Sequence, residues 1–316
     1  MEQQYTQPDS LSHVLSSLTL PGWQGGVAML AAPWGVDIVG QPVSFYAVRR
    51  GRCELTVEAE PRRHLLEEGE FAIVANGCRH RLACDTLAET HSFDEAFSPA
   101  ARTGELISLS EQTEVVYAHS ARRSEGLASW HLNLPNVIRL ERQHHRSLFD
   151  TPELMRWIQA EQLAGYPGQQ AMVDQLVGIL FRLVLRAYVV SCETTGDQEI
   201  SRSILSAAMD PLIGSVVGLI HSEPGNPWTV ATLAQRANMS RSAFSERFRE
   251  VTGKPPLQYL TEYRMQRAGE LLRDSNLGVK QIAAIVGYES PSSFTSAFKR
   301  WSSCSPAFYR KRHVDQ

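Results

Sequence analysis

Leu233–Tyr259, LAQRANMSRSAFSERFREVTGKPPLQY, and Ile282–Tyr309, IAAIVGYESPSSFTSAFKRWSSCSPAFY, are one pattern written twice. Phe244 and Phe248 return as Phe294 and Phe298, and Pro256 and Tyr259 as Pro306 and Tyr309, each 50 residues on. Ala234 and Ala283 are small where a second helix must cross closely. Asn238 and Gly287 sit where the first helix ends, in the left-handed turn that Asn and Gly adopt most easily. Ser240 and Ser290 then cap the next helix by accepting a backbone N–H bond. The paired phenylalanines, four apart, share one helical face and belong to the core. Short helix, tight turn, capped second helix is the plan of a helix-turn-helix, whose second helix enters the DNA major groove. Two copies imply a reader of two adjacent grooves.

The reading must then come from the face opposite the phenylalanines. The candidate DNA-binding residues are Ser240, Arg241, Ser242, Ser245, Glu246 and Arg249 in the first copy, and Ser290, Ser292, Ser293, Ser296, Lys299 and Arg300 in the second. Arg and Lys donate to guanine edges or phosphates, Ser bonds either kind of partner, and Glu accepts from cytosine. Between the copies, residues 256–274 carry Leu257, Leu260, Tyr263, Met265, Ala268, Leu271 and Leu272, an apolar face for one connecting helix. At 1.5 Å per residue it spans roughly 28 Å, near one DNA turn of about 34 Å. A rigid connector of that length suits a bent site or unequal engagement of the two copies.

On these motifs residues 211–312 resemble the AraC/XylS-type DNA-binding domain over its whole length. The quoted carriers are TVATLAQRANMSRSAFSERFREVTGKPPLQYLTEYRMQRAGELL and VKQIAAIVGYESPSSFTSAFKRWSSCSPAFYRKR. Ser303 stands where that family usually has Gly before the Ser-Pro turn. The resemblance implies a transcription regulator, more often an activator, with double-stranded DNA and RNA polymerase as partners.

Charge divides the chain at the same place. Residues 209–316 hold 14 Lys and Arg against 9 Asp and Glu, leaving 17 against 25 in the first 208 and a net of −3 overall. A basic module joined to an acidic one suits a DNA-binding end attached to a partner domain of another kind. The expected division is 1–192 as a sensory and dimerisation domain, 193–208 as a polar linker containing Gly196, and 209–316 as the DNA-binding domain. Met1–Ser10 has neither basic residues nor an apolar run, so no signal peptide is expected. Ala171–Val190, the most apolar long stretch, contains Asp174, Arg182 and Arg186 and reads as a packed helix, not a membrane span. Five cysteines, an odd number with no CxxC, suit reduced thiols in a cytoplasm.

After a helix over residues 9–17, the front half turns to short β-prone runs (44–49, 53–57, 71–74, 114–118) cut by Gly51, Pro61, Gly69, Gly77 and Gly104. Strands at this spacing predict a double-sheet β-barrel, followed by helices near 153–164 and 169–190. The fold class is therefore α+β: a barrel with flanking helices, then an all-α domain. Residues 8–190 resemble the cupin-type sensory domain often joined to AraC-type modules. The carriers are DSLSHVLSSL, PWGVDI, FYAVRRGRCELTV, LEEGEFAIVANGCRHRL and YPGQQAMVDQLVGILFRLVLRAYV. The resemblance makes the helical tail a dimer contact; the residues alone allow an intramolecular packing helix equally.

No catalytic set emerges. Metal-binding cupins supply two close histidines, a carboxylate and a later histidine, whereas here His64, His80 and His91 stand apart and His144-His145 follows the barrel. Neither metal nor cofactor is expected, with His64, His80 and His91 left as a triad for the fold to assemble or keep apart; a cupin-type metalloenzyme carrying a DNA module is the alternative. Three signal types stay open. Cys78 and Cys84 flank Arg79, His80 and Arg81, and nearby cations depress a thiol pKa, so an oxidant sensor at Cys78, Cys84 and His80 is one. A small ligand inside the barrel, against Trp34, Phe45, Tyr46, Phe71 and His80, is another. A protein partner, or the chain's own concentration, is the third.

Overall fold

The computed structural model describes residues 10–17, 23–60, 62–85, 91–92, 112–119, 134–142, 151–195 and 204–314. The chain forms two compact units, one from residues 20–125 and 134–197, the other from 1–19, 126–133 and 198–316.

The first unit is a double-sheet barrel. One sheet has the order β1 (Gln24–Ala31), β9 (Gln112–His119), β3 (Ser44–Arg50), β6 (Phe71–Val74), β10 (Val137–Leu140). The other runs β5 (Arg63–Glu67), β4 (Arg52–Val57), β7 (His80–Ala83), β2 (Gly35–Ile38), β8 (His91–Ser92). Alternation sets the register: on β4, Cys53, Leu55 and Val57 point inward while Arg52 and Thr56 face water. Inside the barrel they meet Trp34, Val36, Ile38, Leu66 and Leu82, with Tyr46, Val48, Ala72, Val74, Val115 and Tyr117 from the opposite sheet.

Phe45 and Phe71 belong to the other face of that sheet. They stack at 6.3 Å, and Phe181 of a helix meets Phe45 edge-on at 6.0 Å. The expectation that both line a ligand cavity inside the barrel is therefore corrected: Phe45 alternates with Tyr46 on β3 and Phe71 with Ala72 on β6, and it is Tyr46 and Ala72 that point inward. The helices on this face are α2 (Thr151–Ala164) and α3 (Gln169–Thr195). α3 is apolar and long enough to cross a membrane by composition. Nevertheless its Val173, Val177, Leu180, Phe181, Val184, Leu185 and Tyr188 are buried in this unit, as its charged residues led us to expect. Strand β1 lies at the edge of its sheet, where unpaired backbone groups invite aggregation. Here Gln162 bonds both the N–H and the C=O of Val27 (2.6 and 2.9 Å), while Asp174 and Gln170 bond Gly25.

The second unit is all α. Helix α1 (Ser10–Ser17) packs here against α4 (Ile204–Met209) and α5 (Gly214–Ser222), although by sequence it opens the front half. Val14 is fully buried, and Gly218 lets the backbone of Ser10 approach so closely that a Cβ would sit 3.2 Å from its Cα. All of α4 but Met209 falls inside the stretch expected to be linker. Then follow α6 (Val230–Arg236), α7 (Arg241–Thr252), α8 (Pro256–Asp274), α9 (Val279–Ile285), α10 (Pro291–Ser302) and α11 (Pro306–Val314). The connecting helix α8 covers the 19 residues expected. Phe244, Phe248, Phe294 and Phe298 are each fully buried, one pair in each helix-turn-helix.

Candidate nucleic-acid interface

Each recognition helix is positioned by its own turn. Asn238 (φ 51°) and Gly287 (φ 80°) both take the left-handed conformation. Thr229 caps α6, its hydroxyl accepting the Thr232 N–H at 3.1 Å while Thr232 Oγ1 accepts the Thr229 N–H. At α9 the cap has no side chain, and Gln281 reaches back to accept the Gly278 N–H at 2.8 Å. Ser240 then accepts the Ala243 N–H at 3.3 Å and Ser290 the Ser293 N–H at 3.4 Å, opening α7 and α10 as expected.

The two helices share one pattern of exposed and buried positions. In α7, Arg241, Ser242, Glu246 and Arg249 are exposed and Ser245 half-buried; in α10, Ser292, Ser293, Ser296, Lys299 and Arg300 are exposed. Several hydroxyls are already engaged. Ser245 donates to the Arg241 carbonyl (2.8 Å), Ser293 to the Ser290 carbonyl (2.8 Å), and Ser242 and Ser292 share bonds with the cap hydroxyls of Ser240 and Ser290 (3.2 and 2.6 Å). Sequence reasoning missed Thr295, which stands 50 residues after Ser245, is half-buried like it, and donates to the Pro291 carbonyl at 2.7 Å. The repeat itself was the signal that should have found it.

Much of the unit's positive charge is held internally. Arg247, on the recognition helix, bonds Asp210 through both Nε (3.1 Å) and Nη2 (2.7 Å). Arg264 donates to the carbonyls of Pro224 (2.7 Å) and Asn226 (2.6 Å), and Arg310 to that of Leu272 (3.1 Å). Arg267 pairs with Glu270 at 2.7 Å. The exposed cations that remain on or beside the helix-turn-helix faces include Arg236, Arg241, Arg249, Lys280, Lys299 and Arg300. Arg236 and Lys280, on α6 and α9, were not in the sequence-derived set.

In the barrel unit, the sensor candidates do not gather. Arg79 to Cys84 is extended, paired from Arg79 (whose carbonyl accepts from Glu58) to Cys84 (whose N–H bonds Trp34). At about 3.3 Å per residue that strand holds Cys78 and Cys84 beyond the ~7 Å Cα separation a disulfide tolerates. The expectation that they face each other across a turn is thus corrected. So is the expected activation of Cys78: burial, then the Glu60 carboxylate, pushes its thiol pKa up. Arg79 is exposed and Arg81 turns to the outer face of β7, while Cys78 packs on the interior cluster. Cys84 lines an open pocket of about 520 Å³ with Arg52, Arg142, Glu67, Glu68, Gln112 and Thr113, and its Sγ accepts the Trp34 N–H at 3.2 Å.

His80 is buried and bonded on both ring nitrogens. Nδ1 faces the Cys78 carbonyl (2.8 Å), which only accepts, so Nδ1 carries the proton and Nε2 accepts from the Tyr46 hydroxyl (2.7 Å). Burial lowers its pKa to about 4. His119, bonded to Ser44 at 2.9 Å, is lowered to about 3 by burial and then by His80. His64 sits two strands across and two residues along from His80, about 12 Å away, and pairs with Glu60 at 3.3 Å. The side chain of His91, together with His144 and His145, lies outside the described residues. Among the described residues, no three His, Cys, Asp or Glu side chains converge to hold a metal.

Comparison with known proteins accords with both halves. A helix-turn-helix domain model matches residues 233–312, and a cupin model matches residues 9–190, more than half of the chain. The chain belongs to the AraC-type regulators that carry an N-terminal cupin domain. It is 30% identical over 254 residues to the HTH-type transcriptional regulator AlkR of Acinetobacter baylyi, covering 78% of each chain. It is 35% identical over 181 residues to the RCS-specific HTH-type transcriptional activator RclR of Escherichia coli, covering 57% of this chain and 62% of that relative. An AraC-like transcription regulator of Streptomyces antibioticus is 28% identical over 310 residues, 96% of this chain and 98% of that one. These relatives are transcription regulators and not enzymes. DNA binding by this chain resides in its helix-turn-helix domain.

Proposed function

We propose that this chain is a cytoplasmic, homodimeric transcription activator that places α7 and α10 in two successive major grooves and engages RNA polymerase from there. The carrying observation is the repeat: two capped helices, 50 residues apart in the sequence, with matching buried and exposed positions. The DNA-contacting residues are Arg241, Ser242, Glu246 and Arg249 on α7 and Ser292, Ser293, Ser296, Thr295, Lys299 and Arg300 on α10, with Ser240, Ser245 and Ser290 shaping the helix starts. The barrel unit regulates this grip, and its signal must favour the DNA-competent arrangement differentially, because equal affinity for both arrangements shifts nothing.

Dimerisation rests on α3. Met172, Leu176, Ile179, Leu183 and Arg186 recur at spacings of four and three, the seam of a coiled coil. Met172 and Ile179 are 54% and 48% exposed, which is unusual for large apolar side chains at seam positions and supports a second copy as their cover.

Selection of genomic fragments by the purified full-length chain at physiological salt tests the reading. The expected result is a small set of promoter-proximal fragments whose affinity falls linearly on a log–log plot against salt, as phosphate neutralisation requires. Equal affinity for all fragments, or affinity independent of salt, contradicts it.

A thiol signal is the second reading, favoured by the position of Cys84 in an open pocket whose lining includes Arg52 and Arg142 alongside Glu67 and Glu68; Cys78 and His80 lie at the other end of the same extended stretch. Peroxide or hypochlorite should change DNA affinity in the wild type and in Cys78→Ser but not in Cys84→Ser. An oxidant response retained by Cys84→Ser removes this reading.

A further inference from the structure

The 50-residue correspondence allows the two recognition helices to be compared position by position, and they differ where it matters for reading bases. At the first helical position Arg241 faces Pro291; five residues on, Glu246 faces Ser296; in the last turn Arg249 and Glu250 face Lys299 and Arg300. Other positions agree: Ser242 with Ser292 and Ser245 with Thr295 are each bonded to the same backbone or cap partner in their own helix, and the two phenylalanines are shared, while Ala243, Arg247 and Val251 are replaced by Ser293, Ala297 and Trp301.

Residues at the start of a recognition helix reach base edges. Arg241 offers a guanidinium there, exposed and in no ion pair among the described residues, suited to the O6 and N7 of guanine. Pro291 offers neither a side-chain donor nor an N–H. Glu246 is still more telling. A carboxylate exposed in the middle of a surface that meets a polyanion is repelled unless it finds a donor, and the base-edge donor it fits is cytosine N4. The described cations of α7 do not neutralise it: Arg247 is committed to Asp210 and Glu250, and no ion pair joins Glu246 to Arg241 or Arg249. Glu246 therefore selects by repulsion as well as attraction, disfavouring sites that lack the donor. α10 has no such group. Its exposed face carries hydroxyls, most already bonded within the helix, and two adjacent cations at its end, Lys299 and Arg300.

We infer that base selection is concentrated in α7, through Arg241 and Glu246 reading guanine and cytosine, while α10 holds the phosphate backbone of the neighbouring groove through Lys299 and Arg300. This rests on the proposed two-groove binding and assigns unequal roles within it. Arg241 and Glu246 are the specificity-determining residues, and the second groove tolerates variation in sequence.

The test is selection of random-sequence duplexes by the full-length chain, followed by affinities of the winners against salt for the wild type, Glu246→Gln and the Lys299→Ala/Arg300→Ala double variant. All three residues are exposed, so the folds should survive. The wild-type winners should share a G/C-containing motif within one groove and vary in the adjacent one. Glu246→Gln should lose about tenfold or more of the preference for one cytosine while binding non-cognate DNA more tightly. The double variant should keep the same motif, bind every duplex more weakly, and show a log–log salt slope shallower by about 1.8, two phosphates at 0.9 each. Equal sequence constraint in both grooves, or an unchanged motif for Glu246→Gln, overturns the division of labour while leaving two-groove binding intact. Absence of any salt-dependent binding by the wild type overturns both.

Discussion

The C-terminal ends of α7 and α10 provide a matched pair in which one backbone position differs. Thr252 and Ser302 each donate to the carbonyl four residues back, Phe248 (2.6 Å) and Phe298 (2.9 Å), and each accepts the N–H two residues on, from Lys254 and Cys304. Between them stand Gly253 at φ 75° and Ser303 at φ 60°, both left-handed. An L-residue in that conformation costs roughly 1–2 kcal/mol, which Gly avoids. Against this, Gly gives the unfolded chain more freedom, worth about 0.4–1 kcal/mol. Ser303→Gly should therefore stabilise the DNA-binding unit by about 1 kcal/mol. Gly253→Ala, whose new Cβ would meet nothing within 4 Å, should destabilise it by a similar amount through backbone strain alone. In thermal unfolding followed by circular dichroism, the transition of this unit should move by about 3–5 °C in opposite directions. The two sites lie in separate helix-turn-helix copies, so the double variant should return to within about 0.5 kcal/mol of the wild type. A neutral or destabilising Ser303→Gly would refute the claim that Ser303 bears left-handed strain.

Phe298→Ala should cost the second helix-turn-helix about 3–5 kcal/mol, seen as early loss of its amide protection in hydrogen exchange; protection equal to wild type would show that Phe298 is not core. Ile179→Glu should convert dimer to monomer in sedimentation velocity with the barrel still folded; an unchanged dimer would remove α3 as the seam. His80 and His119 have folded pKa values of about 4 and 3, below the unfolded value of about 6.5. The unfolded barrel therefore takes up the extra protons, and barrel stability should fall as pH drops from about 6.5 toward 4, by up to about 1.4 kcal/mol per pH unit for each histidine. A barrel melting temperature that is flat over that range would contradict their neutral burial.

The DNA-binding half was legible because its rules are local. A cap, a left-handed turn residue and a phenylalanine pair at fixed spacing each have one structural meaning, and their repetition at 50 residues removed the ambiguity that a single copy leaves. At Ser303 the sequence marked only a departure from the usual Gly, and the left-handed φ of 60° came from the fold. What escaped was long-range. α1 carries Leu11 and Val14 at helical spacing, which fits any partner, and only the fold places them against α4 and α5. A fragment confined to 209–316, drawn from sequence alone, would lack both α1 and α4 and uncover that side of α5. In the barrel, β3 is buried on both faces, with Ser44 to Val48 all buried. Sequence alternation therefore had no polar side to mark, and Phe45 was assigned to the wrong face. Local charge likewise misled at Cys78, since the side chains of neighbouring strand residues point to opposite faces.

The central claim is that one chain reads two successive grooves from one side of the duplex. Hydroxyl-radical footprinting of a selected fragment, at single-nucleotide resolution, measures this directly. The account predicts, for each chain bound, two protected clusters about one helical turn apart on the same face, with the second cluster lost selectively in the Lys299→Ala/Arg300→Ala variant. A single protected groove per chain, or two clusters on opposite faces, would contradict it.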